Sequence, residues 1–86
     1  MNADDAAQWM LGQFYAQNGF LYQEYAATLL LHMADTNLAY YDANSNVCIA
    51  KPVLAKFNKL TSDLVYERTG KFWRHRLPSD LPGRQQ

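Results

Sequence analysis

The chain has 86 residues, 49% of them hydrophobic and 19% charged, with a formal net charge of zero. That balance fits one globular domain and excludes a disordered chain. A chain of this length buries only about 60–65% of the surface its unfolded form exposes, so a partner or second copy would add stability. The longest apolar run, Tyr25 to Leu31, contains Thr28 and falls short of the ~20 apolar residues of a membrane span. The N-terminus, Met-Asn-Ala-Asp-Asp, has neither a basic region nor an apolar stretch of the kind that leads secreted chains, which gives a cytoplasmic expectation.

In chain order, residues 3–18 are predicted helical, because Ala3, Ala7, Met10, Leu11 and Phe14 recur at the spacing of one apolar stripe. Asn2, Asp4 and Asp5 suit its start, where the helix dipole favours acid. Asn18-Gly19 suits its end, since both residues tolerate the left-handed conformation. Phe20-Leu21-Tyr22 reads as a short extended piece. A second helix is predicted from Gln23 to Ala34, burying Ala26, Leu29, Leu30 and Met33, with Leu31 adding apolar surface. Leu38–Tyr41 and Val47–Ile49 flank Asp42–Asn46, the pattern of a turn between two short strands or of an ordered loop.

Pro52 marks the start of a third helix, where its missing N–H is not needed. Val53, Leu54, Phe57, Leu60 and Leu64 form the stripe, and the helix is expected to end near Asp63. A β-hairpin follows, with Val65–Glu67 and Phe72–Leu77 joined through Thr69-Gly70. Alternation along the second strand puts Phe72, Arg74 and Arg76 on one face and Trp73, His75 and Leu77 on the other. The predicted domain is 1–78, with an irregular tail over 79–86. The fold class is α+β, three helices with a C-terminal hairpin. That order is winged-helix-like, the strand near Leu21 completing a small sheet, and a plain α+β packing is the fallback.

The charges are segregated. Residues 1–50 hold Asp4, Asp5, Glu24, Asp35 and Asp42 and no Lys or Arg, a net of −5. All eight basic residues follow position 50, against Asp63, Glu67 and Asp80, a net of +5. Such polarity marks an anionic partner, two copies docking acidic face to basic face, or halves that neutralise each other within one fold.

Four segments carry a resemblance: AQWML at 7–11, GFLYQE at 19–24, VLAKFNKLT at 53–61 and VYERTGKFWRHRLPSDLPGRQQ at 65–86. On them the chain resembles a group of short, uncharacterised bacterial proteins, some encoded on integron gene cassettes, and it departs from their pattern across 32–50. The resemblance implies no activity and no functional residues.

Residues able to carry catalysis are sparse. His32 and Asp35 stand at i, i+3 and can form a base with its orienter, although such pairs more often cap or decorate a helix end. His32, Cys48 and His75 lack paired zinc-ligand spacing, and Cys48, alone between Val47 and Ile49, reads as a small apolar residue. The glycines are isolated and form no phosphate loop. No enzyme activity, metal or cofactor is expected. The alternative of DNA binding would use Lys56, Asn58 and Lys59 on a recognition helix and Arg68, Lys71, Arg74 and Arg76 on a wing. Against it, those arginines can lie over Phe72 and Trp73 and pair with acids of the first half. The preferred expectation is a protein-binding or self-associating module, because so small a core cannot hide all of its aromatic residues, 14% of the chain. Trp9, Tyr15, Tyr22, Phe72 and Trp73 are its candidate contact residues.

Overall fold

The computed structural model describes residues 2–33, 37–83, 85 and 86. Three helices and five short strands alternate in the order α1 Ala3–Ala16, β1 Phe20–Tyr22, α2 Gln23–His32, β2 Ala39–Tyr41, β3 Val47–Ile49, α3 Lys51–Leu60, β4 Leu64–Glu67 and β5 Phe72–His75. The fold is α+β with small antiparallel sheets. Among the described residues no helix is long and apolar enough to cross a membrane.

α1 begins in a capping box: the Asp5 N–H donates to the Asn2 side chain (2.8 Å), and the Asn2 N–H donates to the Asp5 carboxylate (3.4 Å). It ends as Asn18 and Gly19 turn left-handed (φ 61° and 88°), which lets the Gly19 N–H reach the Phe14 carbonyl (3.0 Å). Its buried stripe is Ala6, Ala7, Met10 and Phe14, and it packs along α3.

α2 starts directly out of β1 without a side-chain cap. Its first N–H, from Gln23, donates instead to the carbonyl of Lys71 in the β4–β5 turn (2.9 Å), so the hairpin itself serves one of the helix's free donors. The helix buries Ala26, Ala27 and Leu30 and rests on the β2–β3 hairpin. Leu29 and Met33, expected inside, are only partly covered. Small alanines let α2 lie close to its neighbours, and the buried stripe runs through Ala26, Ala27 and Leu30, turned toward Ala27 and away from Leu29 and Met33.

Asp42 shapes the β2–β3 turn by accepting the N–H groups of Asn44 (2.8 Å) and Asn46 (2.9 Å). Hydrogen bonding to those groups, chiefly to Asn46, and to the Cys48 thiol holds the Asp42 carboxyl below its ordinary pKa. Cys48 is half-buried, its Sγ directed at that carboxylate (3.8 Å).

α3 stops at Leu60, three residues before the expected end. Thr61 is fully buried and its Oγ1 donates to the Phe57 carbonyl (2.7 Å), closing the last turn. The chain then enters β4 at Leu64, so Leu64 joins the core from a strand and Leu60 is left 39% exposed.

The larger sheet has strand order β1-β5-β4, all antiparallel; β2 and β3 pair separately. Leu21, Trp73 and Tyr66 stand side by side on the inner face, and Tyr22, Phe72 and Glu67 on the outer. Trp73 is 5% exposed, its ring 5.0 Å from those of both Phe57 and Tyr66. It therefore belongs to the core and is not a surface contact residue. Alternation had separated it from Phe72; which of the two points inward is decided by the helices behind the sheet.

Residues 79–83, 85 and 86 carry no helix or strand, yet they fold back on the hairpin. The Gln86 N–H donates to the Tyr66 carbonyl (2.9 Å) and the Arg68 N–H to the Gln86 carbonyl (3.2 Å). The free edge of β4 is thereby occupied, whereas among the described residues no strand pairs with the outer edge of the three-residue β1.

Candidate interaction surface

The outer face of the β1-β5-β4 sheet divides into a charged half and an aromatic half. In the charged half, Arg74 extends across β4 to the tail. Its Nε and Nη2 donate to Glu67 Oε1 (3.1 and 2.6 Å), and Nη1 and Nη2 grip both oxygens of Asp80 (2.9 and 2.7 Å). The Arg74 and Asp80 side chains are 15% and 7% exposed. Asp80 also accepts the Leu77 N–H (2.6 Å). The Arg74 guanidinium holds the Asp80 carboxyl down at about 2, and the two carboxylates push the Arg74 pKa still higher. Val65, directly opposite Arg74, is fully buried.

The aromatic half is open to solvent. Phe20 and Tyr22 share the outer face of β1 because Leu21 takes the inner one. The Phe72 ring lies between them, 5.5 Å from Phe20 and 5.3 Å from Tyr22. Phe20 is 47% and Tyr22 52% exposed. Beside them a groove of about 530 Å³ runs between α2 and the β4–β5 turn, lined by Tyr22, Glu24, Tyr25, Leu29 and Lys71 among others. Tyr25 extends the aromatic surface into that groove and is 43% exposed.

The aromatic residues selected from sequence therefore separate. Tyr22 and Phe72 come together on the outer face. Tyr15 is exposed at the end of α1, its ring edge-on to Phe14. Trp9 is partly buried against the core, and Trp73 is inside. Phe20 and Tyr25 were missing from the set. The alternation of Phe-Leu-Tyr marks Phe20 as the face-mate of Tyr22, a signal that was available.

The basic candidates separate as well. Lys56 pairs with Asp4 of α1 at 3.5 Å. Arg74 is committed to Glu67 and Asp80, acids of its own half of the chain and not of the first half. The Arg76 guanidinium donates to the carbonyls of Leu81 and Gly83. Asn58 faces a smaller groove with Leu54, Tyr66 and Trp73. Lys59, Arg68 and Lys71 are exposed. The Tyr66 hydroxyl donates to Gln23 Oε1, both residues lining that smaller groove, and burial raises its pKa. His32 is exposed at the end of α2, and Asp35, its suggested partner, lies outside the described residues. His75 is spent on an edge-on contact with Phe14, ring centroids 5.0 Å apart.

No curated protein and no solved structure matches this chain. A model described as a family of unknown function (DUF6953) matches residues 2–75, which takes in all three helices, both sheets and the whole aromatic patch. The chain is a member of that DUF6953 family of unknown function.

Proposed function

We propose that the chain is a non-enzymatic binding module that self-associates, and that its working surface is the aromatic half of the outer sheet face. The observation that carries this reading is the contiguous set Phe20, Phe72 and Tyr22, open to solvent and continued by Tyr25. Exposed apolar residues scattered singly need no explanation, but a joined cluster on one face does. Tyr and Phe are the residues whose rigid area favours docking. At 150–250 Å² for a whole aromatic side chain, and with about half or less of each exposed, the four rings offer roughly 300–400 Å² per copy. That is well under the ~800 Å² per partner of a standard interface, so the expected dimer is reversible. Sedimentation velocity from micromolar to millimolar concentration tests it. A mass that rises with concentration, and stays monomeric when Phe20 and Tyr22 are both changed to Ser, supports the reading. A wild-type monomer throughout rejects it.

The finer description of the fold as winged-helix-like belongs to the same proposal. It is supported by the strand order β1-β5-β4, in which the strand after the first helix pairs with the last strand of the hairpin. That order also favours a second reading, a DNA-binding regulator with Lys59, Arg68 and Lys71 on its phosphate-facing side. Three features weaken it: the β2–β3 hairpin separates α2 from α3, Lys56 is paired with Asp4, and Arg74 and Arg76 are held by the tail. Titration against mixed-sequence duplex at two salt concentrations discriminates the readings, because phosphate binding must strengthen steeply as salt falls. No binding at low salt removes the second reading. A bacterial, cassette-type source and a cytoplasmic location also remain proposals, resting on the resemblance of segments such as 65–86 and on the N-terminal composition.

A further inference from the structure

Two charges of opposite sign border the aromatic patch. Glu24 stands in the first turn of α2, and Lys71 closes the β4–β5 turn; both line the groove that holds Tyr22 and Tyr25. Both are exposed, and among the described residues neither enters an ion pair within the chain. The backbone fixes where they start. Lys71 is left-handed (φ 56°), its N–H donates to the Glu67 carbonyl (2.8 Å), and its own carbonyl accepts the N–H of Gln23, the residue before Glu24 (2.9 Å). One hydrogen-bonded junction therefore carries an acid and a base beside the Tyr22 ring.

A surface with one acid and one base side by side and apolar rings beside them is complementary to itself. A two-fold axis passing between the two lays the acid of one copy over the base of the other, and the same operation makes the reciprocal pair. Resting on the docking surface described above, we propose that the occupant is a second copy related by a two-fold axis that passes between Glu24 and Lys71, so that Glu24 of each copy pairs with Lys71 of the other and the Phe20, Tyr22 and Phe72 rings pack beside that centre. Charges as exposed as these contribute little affinity of their own. Their role is to set the register, because the wrong docking brings like charges together.

Charge reversal with mixing tests this. In Glu24→Lys both facing pairs become basic, and in Lys71→Glu both become acidic. Each variant alone is expected to dissociate at least about tenfold more readily than wild type. An equimolar mixture of the two restores opposite charges at both pairs and should form a heterodimer of near wild-type affinity, as should the homodimer of the double variant E24K/K71E. Lys51→Glu, exposed on α3 and outside the groove, changes net charge equally and should leave association unchanged. Sedimentation velocity at physiological salt reads every arm, with far-UV circular dichroism confirming the fold. Single reversals that dimerise like wild type, or a mixture that fails to recover, overturn the two-fold arrangement. If Phe20→Ser with Tyr22→Ser still abolishes the dimer in that case, the docking surface itself survives. A wild-type chain that never dimerises overturns both.

Discussion

Phe72 and Trp73 are adjacent on β5 and point to opposite faces, so substitutions at these two positions should separate folding from docking. Trp73 is 5% exposed and touches Phe57 and Tyr66. Trp73→Ala removes a bicyclic ring from a closed core and should cost about 3–5 kcal/mol. A domain of this size is stable by about 4–13 kcal/mol, so the loss is a large share of the total, a fall in Tm on the order of 15–30 °C. Phe72 is only partly covered and its ring meets Phe20 and Tyr22. Phe72→Ser should cost about 1–2 kcal/mol, the worth of cross-strand aromatic contacts with some burial, while abolishing dimer formation. Urea unfolding followed by far-UV circular dichroism measures both, at protein concentrations low enough that association adds nothing to apparent stability. Equal losses at the two positions would place Phe72 in the core and leave the outer face without its aromatic centre.

Two further outcomes follow from local geometry. A Cβ at Gly70 would collide with the Phe72 ring; Gly70→Ala should therefore displace that ring and weaken dimerisation in sedimentation runs, with little change in the urea midpoint because Trp73 is untouched. Asp80 titrates at about 2 when folded, against 3.8 for its ordinary value. Its lowered pKa contributes stability that is fully present above about pH 4 and disappears as pH falls toward 2. Urea midpoints collected across that window should fall with acid, and Asp80→Asn should make the slope shallower, leaving the part that Asp42 contributes.

Local rules carried much of this fold. The capping box at Asn2 and Asp5, the Asn18-Gly19 stop, Pro52 at the start of α3 and the Asp42–Asn46 turn each act over a few residues, so they can be read from spacing alone. The pairing of β1 with the hairpin was also anticipated, from the order of elements. What depends on distant partners was not legible. Strand alternation distinguishes Phe72 from Trp73 but is silent about which face the helices cover. The charge segregation suggested that the arginines would meet acids of the first half. Instead Arg74 reaches Asp80 in the returning tail, an encounter fixed by the path of residues 77–80 and not by any pattern in them. Phe20 is legible as the face-mate of Tyr22 from the alternation of Phe-Leu-Tyr, but its contact with Phe72 depends on the pairing of β1 with β5.

The most direct measurement is a concentration series of NMR spectra on the full chain. Ring and amide signals of Phe20, Tyr22, Tyr25 and Phe72 should shift and broaden together as protein concentration rises, while those of Trp9, Tyr40 and Tyr41 stay fixed. Spectra that do not change up to millimolar protein, or changes centred on the β2–β3 hairpin, would contradict self-association through the outer aromatic face.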